Sequence, residues 1–293
     1  MMRRAAVVFL VLFAVSSCGF FRSSPGSGNV ALWGSRTPKV ALILSGGAAR
    51  GFAHAGVIRA LEREKIPIDL IVGVNTGSLI GAIYADRKNA VDLEKIVLTL
   101  EERDIFDYSF INPTQGFVRG DRLEDFVAKK ISSKEINQLR VPFAAVASDL
   151  QNGEVVILQS GSIARAVHAS NAIPGIFSPV SYQGKLLVDG GVLNNVPVDV
   201  AKKIGADVVI AVDLGGPAKD AQAGNIFETT VQSFYLAARQ NAEAKLKLAD
   251  VVIRPKVSDV GLNDFTRKKE LLNLGAEAAA QALPAIRAKM RAK

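Results

Sequence analysis

Gly73-Val74-Asn75-Thr76-Gly77-Ser78-Leu79-Ile80-Gly81-Ala82 follows directly on the apolar run Leu70-Ile71-Val72, and this junction decides the fold. A short apolar run with no polar alternation suits a strand buried on both faces. The equally apolar segment 77–85 reads as a helix. Gly73 and Gly77, four residues apart at a strand-to-helix turn, match the G-x-S-x-G elbow everywhere except at its centre, which is Asn75. The same grammar appears upstream. Val40-Ala41-Leu42-Ile43-Leu44 reads as a buried strand, then come Ser45-Gly46-Gly47-Ala48-Ala49-Arg50-Gly51 and a helix with Val57, Ile58 and Leu61 on one face. Further strands are expected at 143–147, 155–158, 185–188, 208–212 and 251–254. Helices are expected from Asn89, a natural N-cap, to about 100, and at 121–130, 226–248 and 266–291, the last broken at Pro284. Strands alternating with helices imply a three-layer α/β/α domain around a mainly parallel sheet.

Composition sets the outer bounds. The 293 residues are 49% apolar and 22% charged, which excludes wholesale disorder, a collagen repeat and a coiled coil. A net charge of +8 is spread along the chain without a basic block, so no nucleic-acid partner is expected. Arg3 and Arg4, the apolar stretch 5–15 and Ser16-Ser17 before Cys18 have the form of an export signal. Val15-Ser16-Ser17-Cys18 resembles a bacterial lipobox, whose cysteine is acylated; a plain signal cut elsewhere is the alternative. The expected organisation is a signal at 1–17, lipidated Cys18 with a Ser/Gly/Pro-rich tether to 38, and one domain over 39–293. Such a protein is exported and held at a membrane. Cys18 is the only cysteine, so no intrachain disulfide forms.

Three loops carry the candidate chemistry, each after an expected strand, where open α/β sheets bind ligands. Gly46, Gly47, Ala48, Arg50 and Gly51 form a loop whose backbone amides can approach an oxyanion or a phosphate. Ala48 stands where a dinucleotide fingerprint needs glycine, and no phosphate loop ending in Gly-Lys-Ser/Thr is present. The elbow is the second loop. The third is Asp189-Gly190-Gly191, a tight turn able to present a base to the crevice, although local sequence alone favours an ordinary turn acid. The chain has two histidines, His54 and His168, and neither follows Asp189. A triad in the order Ser-Asp-His with Asp189 as its acid is therefore excluded.

Taken together, the three loops resemble the patatin-like phospholipases. The likeness extends through Ala172-Ile173-Pro174-Gly175-Ile176-Phe177-Ser178-Pro179 and Val188-Asp189-Gly190-Gly191-Val192-Leu193-Asn194-Asn195-Val196-Pro197, in matching order from about 40 to 214. The resemblance implies a Ser-Asp dyad that cleaves phospholipid or other lipid esters, loop amides holding the oxyanion, Arg50 supporting that loop, and no metal or cofactor. Asn75 stands where the family has its serine. An amide nitrogen is not a usable acyl-transfer nucleophile. Asn tolerates positive φ, and its amide N–H is placed to donate to Asp189. Among neighbouring hydroxyls, Ser78 is expected to be structural, Thr76 to point away from the elbow and Ser45 to lie elsewhere. Two readings follow: an impaired lipid acyl hydrolase, or a membrane-anchored pseudoenzyme that binds lipid or a partner protein.

Overall fold

The computed structural model describes residues 39–108, 116–215 and 226–293. The signal, Cys18 and the tether lie outside the described residues. In chain order the elements are β1 (Val40–Leu44), α1 (Ala53–Arg63), β2 (Leu70–Gly73), α2 (Thr76–Arg87), α3 (Ala90–Thr99), α4 (Asp121–Lys130), β3 (Phe143–Asp149), β4 (Glu154–Leu158) and α5 (Ile163–Asn171). There follow β5 (Val180–Tyr182), β6 (Lys185–Asp189), α6 (Gly191–Asn194), α7 (Val198–Ile204), β7 (Val208–Val212), α8 (Ile226–Leu246), β8 (Val251–Ile253) and α9 (Lys268–Arg291).

The eight strands among the described residues belong to one sheet, ordered β5-β6-β3-β2-β1-β7-β8, with β4 pairing β3 off that path. The five strands β3-β2-β1-β7-β8 run parallel. β4, β5 and β6 add antiparallel pairings at one end. β1 shows why its sequence has no polar alternation. Val40, Leu42 and Leu44 face a core shared with α1, α2, α3 and α9, while Ala41 and Ile43 face a second core with α7 and α8. A central strand buried on both sides needs apolar residues at every position.

The helix caps follow local chemistry. The Asn89 side chain accepts from the Asp92 N–H at 3.0 Å, opening α3 as its sequence predicts. α9 departs from expectation, because it runs unbroken through Pro284. Pro284 and Ala280, whose carbonyl loses its N–H partner, are both exposed, so water can serve that carbonyl. Buried Leu271, Leu272, Ala279 and Ile286 hold the helix to the core on both sides of the proline.

Candidate active site

The chain rises through β2 to Gly73, and the Val74 N–H still pairs with β1 by donating to the Leu44 carbonyl, 3.1 Å away. Asn75 then takes φ 53°, ψ −130°, a left-handed conformation that few non-glycine residues tolerate. Its N–H donates to the Ser170 hydroxyl and carbonyl, each 3.1 Å away. Its carbonyl accepts from the Ser78 hydroxyl at 2.7 Å. The elbow glycines are required by space. A Cβ on Gly77 would lie 2.2 Å from the Leu44 carbonyl oxygen, and one on Gly73 would lie 2.6 Å from the Gly77 carbonyl oxygen.

The Asn75 side chain closes the site on itself. Its Nδ2 donates to Asp189 Oδ2 at 2.6 Å. Its Oδ1 accepts from the backbone N–H groups of Ala48 (3.1 Å) and Gly47 (3.4 Å). Two amides converging on one oxygen is the geometry of an oxyanion hole; here that oxygen belongs to the chain. Thr76 corrects the sequence reading, because its hydroxyl turns back into the site. It donates to the Ala48 carbonyl at 2.8 Å and lies 3.1 Å from Asn75 Oδ1. The loop carbonyl above it is an acceptor in need of a donor, and α2 begins within reach.

Asp189 is fully buried and ends β6. That strand is antiparallel to β3, so Asp189 does not follow a parallel strand as its sequence context suggests. It pairs with Ala147, two residues beyond Ala145, which lies level with Gly73, and so still reaches the elbow's end of the sheet. Burial pushes its carboxyl up to about 7, against the opposing pull of the Gly191 N–H (2.7 Å from Oδ1) and the Asn75 amide. Gly190 caps the short helix α6.

Gly46, Gly47 and Ala48 leave β1 as a loop whose shape is fixed from three sides. The Gly46 N–H donates to the Asn195 carbonyl at 3.3 Å. His54 Nε2 lies 2.8 Å from the Ser45 carbonyl, which can only accept, so that nitrogen carries the proton. Burial holds His54 down at about 4, and the ring is neutral. Arg50 is buried, with Nε donating to the Val260 carbonyl at 2.8 Å and a terminal nitrogen to Ser258. It ties the loop to the segment before α9. Gly51 packs on the Thr76 side chain. Ser45 accepts from the Leu214 N–H and is a structural neighbour.

Asn75 opens onto a cleft of about 490 Å³, walled by Phe52, Leu79, Ile105, Phe106, Phe177 and Phe265. The Phe52 and Phe265 rings meet edge to face at 5.3 Å. An apolar cleft with a few convergent polar groups is the usual form of a small-molecule site. Among the described residues, no group of three or more His, Cys, Asp or Glu is placed to hold a metal ion. Sequence reading did not pick out Ser170 or Asn195 as supports, nor Gln232 and Tyr235 of α8, which also line the cleft. Asn195 lies in the stretch 188–197 that carries the family resemblance. The others carry no local signature.

Residues 42–202 match the family model of the patatin-like phospholipases. The chain belongs to the patatin-like phospholipase family. It is 30% identical over 269 residues to lysophospholipase NTE1 of Scheffersomyces stipitis, covering 80% of this chain and 17% of that protein. An NTE family protein of Mycobacterium bovis is 37% identical over 196 residues, which is 64% of this chain and 54% of the relative. The chain therefore spans about half or less of these curated relatives. The patatin-like fold is seen again in VipD from Legionella pneumophila, with a TM-score of 0.60 at 15% identity, covering 85% of this chain and 67% of that one.

Proposed function

We propose that this chain binds an acyl lipid in the cleft and is a strongly impaired ester hydrolase, with Asn75 in the nucleophile position and Asp189 as the remaining member of the dyad. One observation carries the reading: the Asn75 carboxamide bridges the Gly47 and Ala48 amides to the Asp189 carboxylate. It supplies no hydroxyl for Asp189 to deprotonate. It also places an oxygen where a developing oxyanion would need those amides. Loss of the nucleophile in a serine hydrolase lowers turnover by a factor on the order of 10⁶. Lipid ester as ligand class is supported by family membership and by the lysophospholipase among the relatives.

The test is Asn75→Ser, assayed on lipid and p-nitrophenyl esters. The amide loop, elbow and Asp189 are preorganised, so the variant is expected to gain at least ~10³-fold over wild type. Adding Asp189→Asn should abolish the gain. Wild-type hydrolysis that Asn75→Ser fails to improve would overturn the dyad assignment. The same proposal places the protein at a membrane, exported by residues 1–17 and anchored by acylated Cys18, with 18–38 as tether and no cofactor or nucleic acid involved. Two or more acyl chains give stable attachment where one does not. Mass spectrometry of the mature N-terminus should find a lipid-modified peptide beginning at Cys18; an unmodified start elsewhere rejects the anchor.

A further inference from the structure

The cleft has a second polar corner, on α8, that the elbow does not use. Tyr235 is 4% exposed, lines the cleft, and its hydroxyl has no hydrogen-bond partner among the described residues. Gln232 lies three residues earlier on the same helix, also lines the cleft, and its buried Oε1 has no partner either. Residues three apart on a helix are surface neighbours, so the two groups form one patch. The patch sits at the catalytic end. Phe234, between them in sequence, has its ring 3.0 Å from where a Cβ on Gly191 would stand, and the Asp189 charge is felt at the Tyr235 hydroxyl. Burial above all, with a smaller push from Asp189 against the pull of Arg50, keeps the phenol protonated, so it serves as a donor.

A buried polar group left without a partner is destabilising unless something completes it. The elbow cannot, since Asn75 already occupies the Gly47 and Ala48 amides and the Asp189 oxygen facing them. A ligand's carbonyl at this end of the cleft therefore meets donors from α8, the Tyr235 hydroxyl and the Gln232 amide. The Gln232 carboxamide carries an acceptor and a donor side by side. Its natural complement is a group with the same pair reversed: a carbonyl next to an O–H or N–H. A protonated carboxylic acid and a primary carboxamide have that pair. A simple ester does not.

We propose that Tyr235 and Gln232 form a head-group site that selects an acyl chain ending in an un-ionised carboxyl or a carboxamide, over the corresponding ester. In this arrangement the Tyr235 O–H donates to the ligand carbonyl, and Gln232 pairs with both head atoms. The apolar wall of Phe52, Leu79 and Phe265 receives the chain. The inference rests on the acyl-cleft reading above, and it turns a general lipid cleft into one that holds a product-like or amide-headed ligand. It assigns both residues to binding; no bond is made or broken.

The test is calorimetric titration of the purified full-length chain with decanoic acid, decanamide and methyl decanoate. Wild type is expected to bind the amide at least tenfold more tightly than the ester, at pH 5.5 and at pH 8. Decanoic acid, already mostly ionised at pH 5.5 like any simple carboxylic acid, should bind less tightly than the amide there and weaken on the order of a hundredfold further at pH 8. Equal binding of the acid at both pH values would mean that the carboxylate is the form held, and would overturn the selection for an un-ionised carboxyl. Tyr235→Phe should weaken all three ligands about tenfold, the equivalent of one hydrogen bond. Gln232→Leu should weaken acid and amide but leave the ester unchanged. Unchanged amide affinity in either variant overturns the head-group site while the acyl cleft stands. If wild type binds none of the three, the acyl-cleft reading itself fails and takes this inference with it.

Discussion

The two polar ends of the cleft differ in one respect. At the elbow, the Asn75 Oδ1 and Nδ2 and both Asp189 oxygens are engaged by the chain's own groups. On α8, the Tyr235 hydroxyl and Gln232 Oε1 are engaged by nothing among the described residues. The elbow is a finished structure whose hydrogen bonds are spent on holding its own shape. The α8 corner is unfinished, and its open groups are where a ligand gains by binding. A centre built for turnover would be expected to show the reverse, with open donors around the oxyanion position.

The sharpest way to break the comparison is through protons, because the closed end holds a carboxyl that burial keeps partly neutral. Asp189 titrates near 7 in the folded chain against an ordinary value of 3.8. Its contribution to stability is therefore fully present below pH 3.8 and is lost as the pH rises through 7. His54, down at about 4 against 6.5, acts oppositely: its contribution is present above 6.5 and is lost as the pH falls towards 4. The two oppose each other between pH 4 and 6.5, and wild type should show a shallow profile there. Asp189→Asn removes one side of the balance. Relative to wild type, that variant should gain about 3 kcal/mol in urea unfolding between pH 4.5 and 7.5. A difference that stays constant with pH would mean that Asp189 is ionised throughout, and the closed end would have to be redrawn as a charged site.

Most of this contrast was legible in the sequence at one end only. The buried strands β1, β2 and β7 are legible because a strand covered on both faces permits no polar residue. The elbow is legible because its glycines are forced by contacts under 3 Å with backbone. The positive φ of Asn75 and its bond to Asp189 were both expected from residue chemistry, and both are present. Three things were not legible. β5 is three residues long and exists only through pairing with β6. The direction of Thr76 depends on where the Ala48 carbonyl lies, which no local pattern encodes. Tyr235 sits on a helix whose sequence reads as ordinary; a tyrosine facing inward looks the same whether its hydroxyl is partnered or open. Satisfaction of a polar group is a three-dimensional property, so the α8 corner had to be found in space.

The smallest effects, and the most discriminating, come from removing one side chain at each end. Asn75→Ala strips a satisfied group. It leaves the Gly47 and Ala48 amides and the Asp189 carboxyl without their partner, and places alanine at φ 53°, where asparagine is better tolerated. A loss of about 2–3 kcal/mol is expected. Tyr235→Phe strips an unsatisfied group. The ring keeps its packing, including the edge-to-face contact with Phe234 at 5.2 Å, and only the hydroxyl goes. Because that hydroxyl is desolvated and makes no bond, its removal should raise stability by up to about 1 kcal/mol, seen as a higher melting temperature for the ligand-free chain. Adding decanamide should then reverse the order, since wild type gains stability from binding and the phenylalanine variant gains less. Opposite signs at the two ends are the signature of a closed site facing an open one. If Tyr235→Phe instead destabilises the ligand-free protein as much as Asn75→Ala does, the hydroxyl has a structural partner in solution, and the α8 corner is as closed as the elbow.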